Sequence, residues 1–179
     1  MLLIINMGIW YNDSMKKLFI IRHAKSSWKD SSLDDFERPL NKRGRLNAPF
    51  MGSKLKEKNV VPDIIISSPA KRAKSTAEII AKQVKYSKEI LYKKDIYEVG
   101  ESAIKKILKK LDNKISTLFI FGHNPDLEIL VENYVSFDEN IPTCGIVEIE
   151  FNCKIWKDIS SKNAKIISFD YPKRYKELS

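Results

Sequence analysis

The stretch Leu18–Trp28 decides the fold, and it reads Leu18-Phe19-Ile20-Ile21-Arg22-His23-Ala24-Lys25-Ser26-Ser27-Trp28. Its first four residues are apolar, and a polar Arg-His pair follows at once. A short apolar run with such boundaries predicts a buried strand. Arg22 and His23 would then lie at the carboxyl end of that strand, where open α/β sheets bind ligands. The pair offers an anion-binding group beside a nucleophile or base, although an arginine paired with a carboxylate and a core histidine would read the same way.

Two further apolar runs end in polar residues of the same kind. Residues 63–67 predict a second buried strand, and Arg72 follows it after a short turn. Residues 117–121 predict a third, and His123 follows directly. Both histidines of the sequence therefore stand at the ends of predicted strands. If the three strands are parallel, one edge of the sheet carries four candidate site residues, namely Arg22, His23, Arg72 and His123.

Helical patterns separate these strands. Asn41 is a capping residue for a helix that runs to about Lys58, and Pro49 should kink or divide it. Its inward face is predicted to carry Leu46, Phe50, Met51 and Leu55. Two more helices are predicted to begin at Pro69 and Pro125, each behind a capping residue, with their N-terminal amides directed at the same sheet edge. Those capping residues are Ser68 and Asn124.

The remaining patterns complete the predicted architecture. A helix is predicted over 102–111, a short strand over 89–92, and two antiparallel strands over 145–151 and 165–169. Strands that alternate with helices indicate a mainly parallel sheet covered on both faces. The sequence therefore predicts an α/β fold, a three-layer α/β/α sandwich. We expect residues 15–179 to form a single domain, preceded over 1–14 by a disordered extension or the product of an upstream start.

The composition limits the classes of function. The chain has 179 residues, 43% hydrophobic and 31% charged, with a net charge of +9, which is typical of a soluble globular protein. The basic residues are scattered over predicted helix faces, so we expect no nucleic-acid partner. No segment has the ~20 apolar residues of a membrane span. Cys144 and Cys153 lack metal-site spacing and are expected to be reduced thiols, which together with the lack of a signal peptide predicts a cytoplasmic protein.

The four candidate residues favour one kind of chemistry. Arginines would repel a metal cation, so a metal site is not expected. A phosphoryl group suits them, because arginines stabilise its oxygens while an imidazole attacks phosphorus. The sequence contains no GxxxxGK[ST] loop, no GxGxxG and no cysteine followed six residues later by arginine, so other common phosphate-binding motifs do not compete with this interpretation.

Four motifs in order resemble the histidine phosphatase superfamily, which has the phosphoglycerate mutase-like fold. The motifs lie at residues 22–28, 38–44, 67–77 and 122–124. The resemblance as a whole covers Lys16 to about Phe151. The Arg-His-Ala-Lys-Ser-Ser-Trp form is most similar to the SixA-type phosphohistidine phosphatases. The resemblance implies that His23 is the nucleophile and that Arg22, Arg72 and His123 complete a phosphate pocket. It implies no metal and no organic cofactor.

The sequence also departs from the family pattern. Many members have glycine where Ala24 stands and an asparagine at about the position of Lys29, so Lys29 is either a further phosphate-binding charge or a solvated side chain. Other branches protonate an alkoxide leaving group with a carboxyl, for which Glu98 is the candidate, with a surface glutamate as the alternative. If no acid is well placed, phosphohistidine is the favoured substrate, because imidazole is a better leaving group than an alkoxide.

Several functions fit these residues. The main hypothesis is a phosphatase that acts on protein phosphohistidine through a covalent phosphohistidine intermediate. A phosphatase for small phosphorylated molecules of the same superfamily is the first alternative. A phospho-binding module without turnover and a phosphoryl mutase are weaker alternatives, because a binder needs no attacking imidazole and a mutase needs a closed site that excludes water.

Overall fold

The computed structural model describes residues 15–176 of the chain. The extension predicted over 1–14 lies outside the described residues, as do the last three residues of the predicted domain. Within the described range, every helix is too short or too polar to cross a membrane.

Six strands form one sheet. They are β1 Met15–Arg22, β2 Ile64–Ser67, β3 Ile90–Tyr92, β4 Thr117–Gly122, β5 Ile146–Asn152 and β6 Ala164–Asp170. Their spatial order is β3-β2-β4-β1-β5-β6. The first four in that order are parallel, whereas β5 runs antiparallel to β1 and β6 antiparallel to β5. The mainly parallel sheet and its antiparallel final strands are confirmed.

The helices follow the strands in alternation. They are α1 Lys42–Glu57, α2 Lys71–Gln83, α3 Asp95–Glu98, α4 Glu101–Lys109, α5 Asp126–Glu132 and α6 Pro172–Lys176, with 3-10 helices at Asp35–Glu37 and Trp156–Asp158. The two 3-10 helices and the one-turn helices α3 and α6 were not predicted, because segments so short show no clear hydrophobic period.

Alternate residues of β1 point into two separate cores. Leu18 and Ile20 pack with buried residues of α4 and α5 on one face of the sheet. Phe19 and Ile21 pack with buried residues of α1 and α2 on the other face. Because successive strand residues face opposite sides of a sheet, one apolar strand serves both cores. The predicted α/β/α layering is confirmed.

The buried face of α1 differs from the prediction. Leu46 is 63% exposed and Phe50 is 37% exposed, although both were predicted to face inward. The buried stripe is instead Gly44, Ala48, Met51, Gly52 and Leu55. Small residues replace large ones because α1 packs closely against α2: a Cβ on Gly52 would lie 2.7 Å from Gln83 Cβ. The helix also continues through Pro49 without division.

Two predicted helix starts are wrong. α2 begins at Lys71 and α5 at Asp126, so neither Pro69 nor Pro125 is a first helical residue. Ser68 and Asn124 do not cap these helices. Their side chains bond across the fold, Ser68 Oγ with His123 Nε2 at 2.9 Å and Asn124 Nδ2 with the Ile141 carbonyl at 3.0 Å. A polar side chain near a helix start can bond to the helix amides or to a group elsewhere in the fold, and a local sequence pattern does not distinguish the two.

The sheet order brings the site residues together. β1 and β2 flank β4, with Arg22 opposite Gly122 and Ser67 opposite Phe121 in the register. The carboxyl ends of these three parallel strands therefore meet at one edge, and the residues that follow each strand emerge side by side.

Candidate active site

His23 is fixed in one tautomer directly after β1. Its Nδ1 lies 2.8 Å from the Ala24 carbonyl oxygen, and Arg72 Nε donates to its Nε2 at 3.3 Å. Because an arginine N–H can only donate, Nε2 must accept, and the proton resides on Nδ1. Nε2 is therefore the unprotonated ring nitrogen and has the lone pair that a nucleophilic imidazole requires, in a 3.3 Å hydrogen bond from Arg72.

The protein also keeps His23 neutral. The residue is 9% exposed. Burial lowers its pKa to about 4, against the opposing hydrogen bond to Ala24, and the charges of Arg72 and Arg22 add to the lowering. A neutral imidazole at physiological pH keeps the lone pair that an attack on phosphorus needs.

Thr76 of α2 holds Ala24, the residue whose carbonyl orients the His23 ring. The Ala24 amide donates to Thr76 Oγ1 at 3.0 Å, and the Thr76 hydroxyl donates to the Arg72 carbonyl at 2.6 Å. On the other side, the Cys144 amide donates to the His23 carbonyl at 3.1 Å. Thr76 is fully buried. The sequence analysis assigned it no role, although it lies in the motif at 67–77.

His123 follows β4 and lies beside His23, with 5.1 Å between the ring centroids. The Ala70 amide donates to Ser68 Oγ at 3.3 Å, so the Ser68 hydroxyl is free to donate to His123 Nε2. With Ser68 as the donor, His123 carries its proton on Nδ1, a buried atom without a protein partner among the described residues. The Nδ1–H group is thus available to donate to a bound anion.

Arg22, at the end of β1, also has an unused donor. Its Nη1 donates to the Ile141 carbonyl at 2.6 Å, while its buried Nε has no partner among the described residues. Buried polar groups are nearly always hydrogen-bonded, so an unpaired N–H on a charged side chain indicates a place for a ligand or water. Arg22 Nε and His123 Nδ1 are buried polar atoms without a partner among the described residues, and both residues lie at one sheet edge.

Arg72 presents one side of its guanidinium to two acceptors. Its Nε donates to His23 Nε2, and its Nη2 donates to Asp35 Oδ2 at 2.8 Å. Nε and Nη2 form the side-on face with which arginine binds the paired oxygens of carboxylates and phosphates. Asp35 thus occupies a position that a phosphoryl oxygen could take.

Asp35 is a site residue that the sequence analysis missed. Besides Arg72, it accepts from Arg38 Nη1 at 2.7 Å and from the Tyr97 hydroxyl at 2.9 Å. Partial burial raises the pKa of this carboxyl, but the hydrogen bonds from Arg38 and Tyr97 and the charge of Arg72 outweigh it and lower the pKa to about 2. Asp35 is therefore ionised at neutral pH. A signal was present, since Asp35 and Arg38 are three residues apart at the start of a motif.

The structure places Lys29 and Glu98 outside this network. Lys29 is exposed, and its backbone amide donates to Ser27 Oγ. Glu98 pairs with Lys94 at 2.7 Å, and its side chain is 49% exposed. On the same one-turn helix, Tyr97 faces the site, with its ring centroid 5.5 Å from that of His123. The four residues at the strand ends come together, and the two additional candidates do not join them.

The two histidines predict acid sensitivity of the fold. Burial lowers the pKa of His123 to about 3, with smaller contributions from His23 and Arg72. Both folded-state pKa values lie below the ordinary value of about 6.5. Below that pH the two histidines are protonated in the unfolded chain but stay neutral in the folded chain. The free energy of unfolding is therefore highest above about pH 6.5 and decreases as the pH falls toward 4, by about 1.4 kcal/mol per pH unit for each histidine.

Thermal unfolding between pH 7 and pH 4 measures this effect. The His23→Asn/His123→Asn variant, which has no imidazole to protonate, should show a flatter decline in Tm than the wild-type chain. Equal slopes for the two proteins would contradict the assignment of buried neutral histidines.

Comparison with known proteins agrees with this geometry. Residues 18–124 match the family model of the histidine phosphatase superfamily (branch 1). An uncharacterised chloroplastic protein of Arabidopsis thaliana is 28% identical over 152 residues, which cover 80% of this chain and 70% of the relative. An uncharacterised protein of Mycobacterium tuberculosis is 25% identical over 164 residues, which cover 86% of this chain and all of the relative.

Solved structures show the same fold. SixA from Agrobacterium tumefaciens aligns with a TM-score of 0.73 and 23% identity over 88% of this chain and 98% of that one. A protein histidine phosphatase SixA complexed with tungstate aligns with a TM-score of 0.71 and 17% identity over 89% of this chain and 99% of that one. The predicted phosphoglycerate mutase-like fold is confirmed. With a family match over more than half of its length, the chain belongs to the histidine phosphatase superfamily.

Proposed function

We propose that this protein hydrolyses the phosphohistidine of a phosphorylated protein through a phosphohistidine formed on His23. The observation that supports the proposal most directly is the neutral His23 Nε2 beside the side-on face of Arg72. Buried polar atoms of Arg22 and His123 without a partner among the described residues lie at the same sheet edge. One nucleophile with several fixed donors is the arrangement that phosphoryl transfer requires.

In the first step, the His23 Nε2 lone pair attacks phosphorus and a bond forms between them. The bond from phosphorus to the substrate nitrogen breaks, and its electron pair stays on that nitrogen. Arg22, Arg72 and His123 donate to the phosphoryl oxygens and stabilise the charge that they carry in the transition state. A phosphohistidine ring that carries a proton on its other nitrogen leaves as neutral imidazole, so this step needs no proton from the enzyme.

In the second step, water attacks the phosphoryl group on His23. The bond from phosphorus to Nε2 breaks, the electron pair returns to Nε2, and inorganic phosphate is released. The Ala24 carbonyl supports both steps, because it holds the proton on Nδ1 and keeps the ring orientation constant.

The carboxylates near the site favour phosphohistidine over an alkyl phosphate. An alkoxide leaving group requires a protonated acid beside it. Asp35 is ionised and accepts hydrogen bonds from Arg38, Arg72 and Tyr97. Glu98 is held by Lys94. Neither carboxyl is arranged to donate a proton in this conformation, which suits a leaving group that can be protonated before it binds. The likeness to a protein histidine phosphatase supports the same choice.

The test compares phosphate release from two substrates. We expect a histidine-phosphorylated protein to be hydrolysed much faster than a simple sugar phosphate, because the alkoxide of the sugar lacks a proton donor. Initial rates of phosphate release at matched concentrations measure the ratio. Faster release from the sugar phosphate would contradict the proposal and favour a small-molecule phosphatase. Release from neither would favour a phospho-binding module.

Glu98→Gln separates the two catalytic alternatives further. If Glu98 swings away from Lys94 to act as an acid, the variant slows sugar phosphate hydrolysis and leaves phosphohistidine hydrolysis unchanged. Equal rates for variant and wild type on both substrates would show that Glu98 is a surface residue.

A further inference from the structure

A groove of about 690 Å³ lies on the outer side of α1, against α6. We refer to it as the α1–α6 groove, and the residues of its lining used below are Lys42, Arg43, Leu46, Phe50, Lys54 and Tyr175. Leu46 and Phe50 are the two residues that were predicted to be buried and are instead exposed. An apolar floor open to solvent next to a functional site is typical of an interaction surface.

The α1–α6 groove leads toward His23. A second pocket of about 320 Å³ shares Arg43 with the groove and adds Thr143 and Lys173 to its lining. Thr143 precedes Cys144, whose amide bonds to the His23 carbonyl. On the other side, the amino-terminal end of α1 rests on Lys25: the Asn41 amide donates to its carbonyl at 2.9 Å. The end of the groove at the amino terminus of α1 thus lies against the segments that contain or contact His23.

The charges of this surface are all of one sign. Every titratable side chain of the lining other than Tyr175 is a lysine or arginine, and so is Lys173 in the second pocket. Lys42, Arg43 and Lys173 are exposed and have no ion pair within the described residues. Lys54 pairs with Glu57 at 2.8 Å and lies over the rings of Phe50 and Tyr175. The positive charge therefore concentrates at the end nearest His23.

We propose that the α1–α6 groove docks the protein that carries the phosphohistidine, through a segment of acidic and apolar side chains. The proposal rests on the proposed function. Apolar residues of the partner would cover Leu46 and Phe50, while its carboxylates face Lys42 and Arg43. From Lys42 to Lys54 the helix offers a surface about 18 Å long. A docked segment would then place its phosphohistidine at the sheet edge.

The test uses two synthetic peptides of equal length, each with one phosphohistidine and a flanking segment. The segment is rich in Glu and Leu in one peptide and in Lys and Gly in the other. Free phosphohistidine serves as the small substrate. We expect the wild-type enzyme to prefer the acidic peptide by about tenfold or more in kcat/KM, with the preference falling as salt is added, because complementary charge acts mainly on encounter.

Lys42→Glu/Arg43→Glu is the decisive variant. Both residues lie in the first turn of α1, where glutamate interacts favourably with the helix N-terminus, so the fold should be retained. We expect the preference for the acidic peptide to disappear while hydrolysis of free phosphohistidine is unchanged. Leu46→Ser should reduce the preference in part. Lys154→Glu/Lys157→Glu is the charge-matched control and should behave as wild type, because both lysines are exposed and follow the end of β5 that pairs with Met15, at the opposite end of β1 from Arg22.

The outcomes separate the two proposals. Equal hydrolysis of both peptides by the wild-type enzyme, or an unaltered preference in the α1 variant, would overturn the docking proposal and leave the phosphatase proposal intact. Parallel losses on peptides and free phosphohistidine would also overturn it. A dimer that Leu46→Ser dissociates, or competition by a peptide of residues 1–14, would assign the groove to this chain itself. Failure to hydrolyse any phosphohistidine would contradict the proposed function instead.

Discussion

His23→Ala is expected to abolish phosphate release, with a loss on the order of 10⁴-fold or more in kcat, as when the nucleophile of a covalent catalyst is removed. The variant lacks the imidazole that the Ala24 carbonyl and Arg72 Nε hold in position. Steady-state hydrolysis of a phosphohistidine substrate measures the loss, and rapid quenching measures the phosphoenzyme.

The sequence supplies a matched control for that experiment. His123 is the only other histidine in the chain. His123→Ala should slow the reaction but still form a phosphoenzyme that is stable to alkali and labile to acid. Peptide mapping of this species should locate the phosphate on His23. A phosphoenzyme in His23→Ala, or near-normal turnover by a clean preparation of it, would rule out the nucleophile assignment.

Arg72→Ala is expected to lower kcat by about 10²–10³-fold, or roughly 3–4 kcal/mol of transition-state stabilisation. The variant loses the side-on donors that face both the nucleophile and the phosphoryl oxygens. It also removes the hydrogen bonds that hold Asp35. Because these donors act on charge in the transition state, we expect the loss chiefly in kcat and less in KM.

Two variants test whether the contribution of Arg72 to kcat depends on its side-on geometry or only on its charge. Arg72→Lys keeps the charge but cannot donate side-on, so it should recover little activity. Arg45→Ala removes an arginine from the exposed side of α1, where it donates to the Leu40 carbonyl, and should behave as wild type. Full activity of Arg72→Lys would show that a point charge is sufficient and that the side-on geometry has no role.

The predictable part of this fold is the part encoded in uninterrupted apolar runs. β1, β2 and β4 are buried on both faces, so their sequences are almost continuously apolar, and their polar successors mark the site. α1 was harder to predict, because its buried stripe uses glycine and alanine to approach α2. Hydrophobic periodicity ranks such residues low and therefore selected Leu46 and Phe50 instead.

Asp35 and Tyr97 show why the rest of the site was not predicted. Asp35 lies in a polar segment without periodicity, and its partner Arg72 is 37 residues away on α2. Its contact depends on how a loop folds over a helix. Tyr97 is adjacent to the predicted acid Glu98, and on a helix one residue changes the direction of a side chain by about 100°. Tyr97 therefore faces the site while Glu98 pairs with Lys94, and a catalytic role of Glu98 stays a prediction.

Asp35 forms an ion pair with Arg72. The loop that carries Asp35 therefore competes with bound anions for the Arg72 guanidinium. A carboxylate attached to the same chain acts at an effective concentration of millimolar or more without being consumed. We expect weakly bound monovalent anions to displace it with difficulty, and a phosphoryl group that also contacts Arg22 and His123 to displace it more readily. The same carboxylate is then expected to return to Arg72 when phosphate departs. We therefore expect inorganic phosphate to be a weak product inhibitor, which inhibition kinetics would measure. Asp35 would then favour release of the product after each turnover.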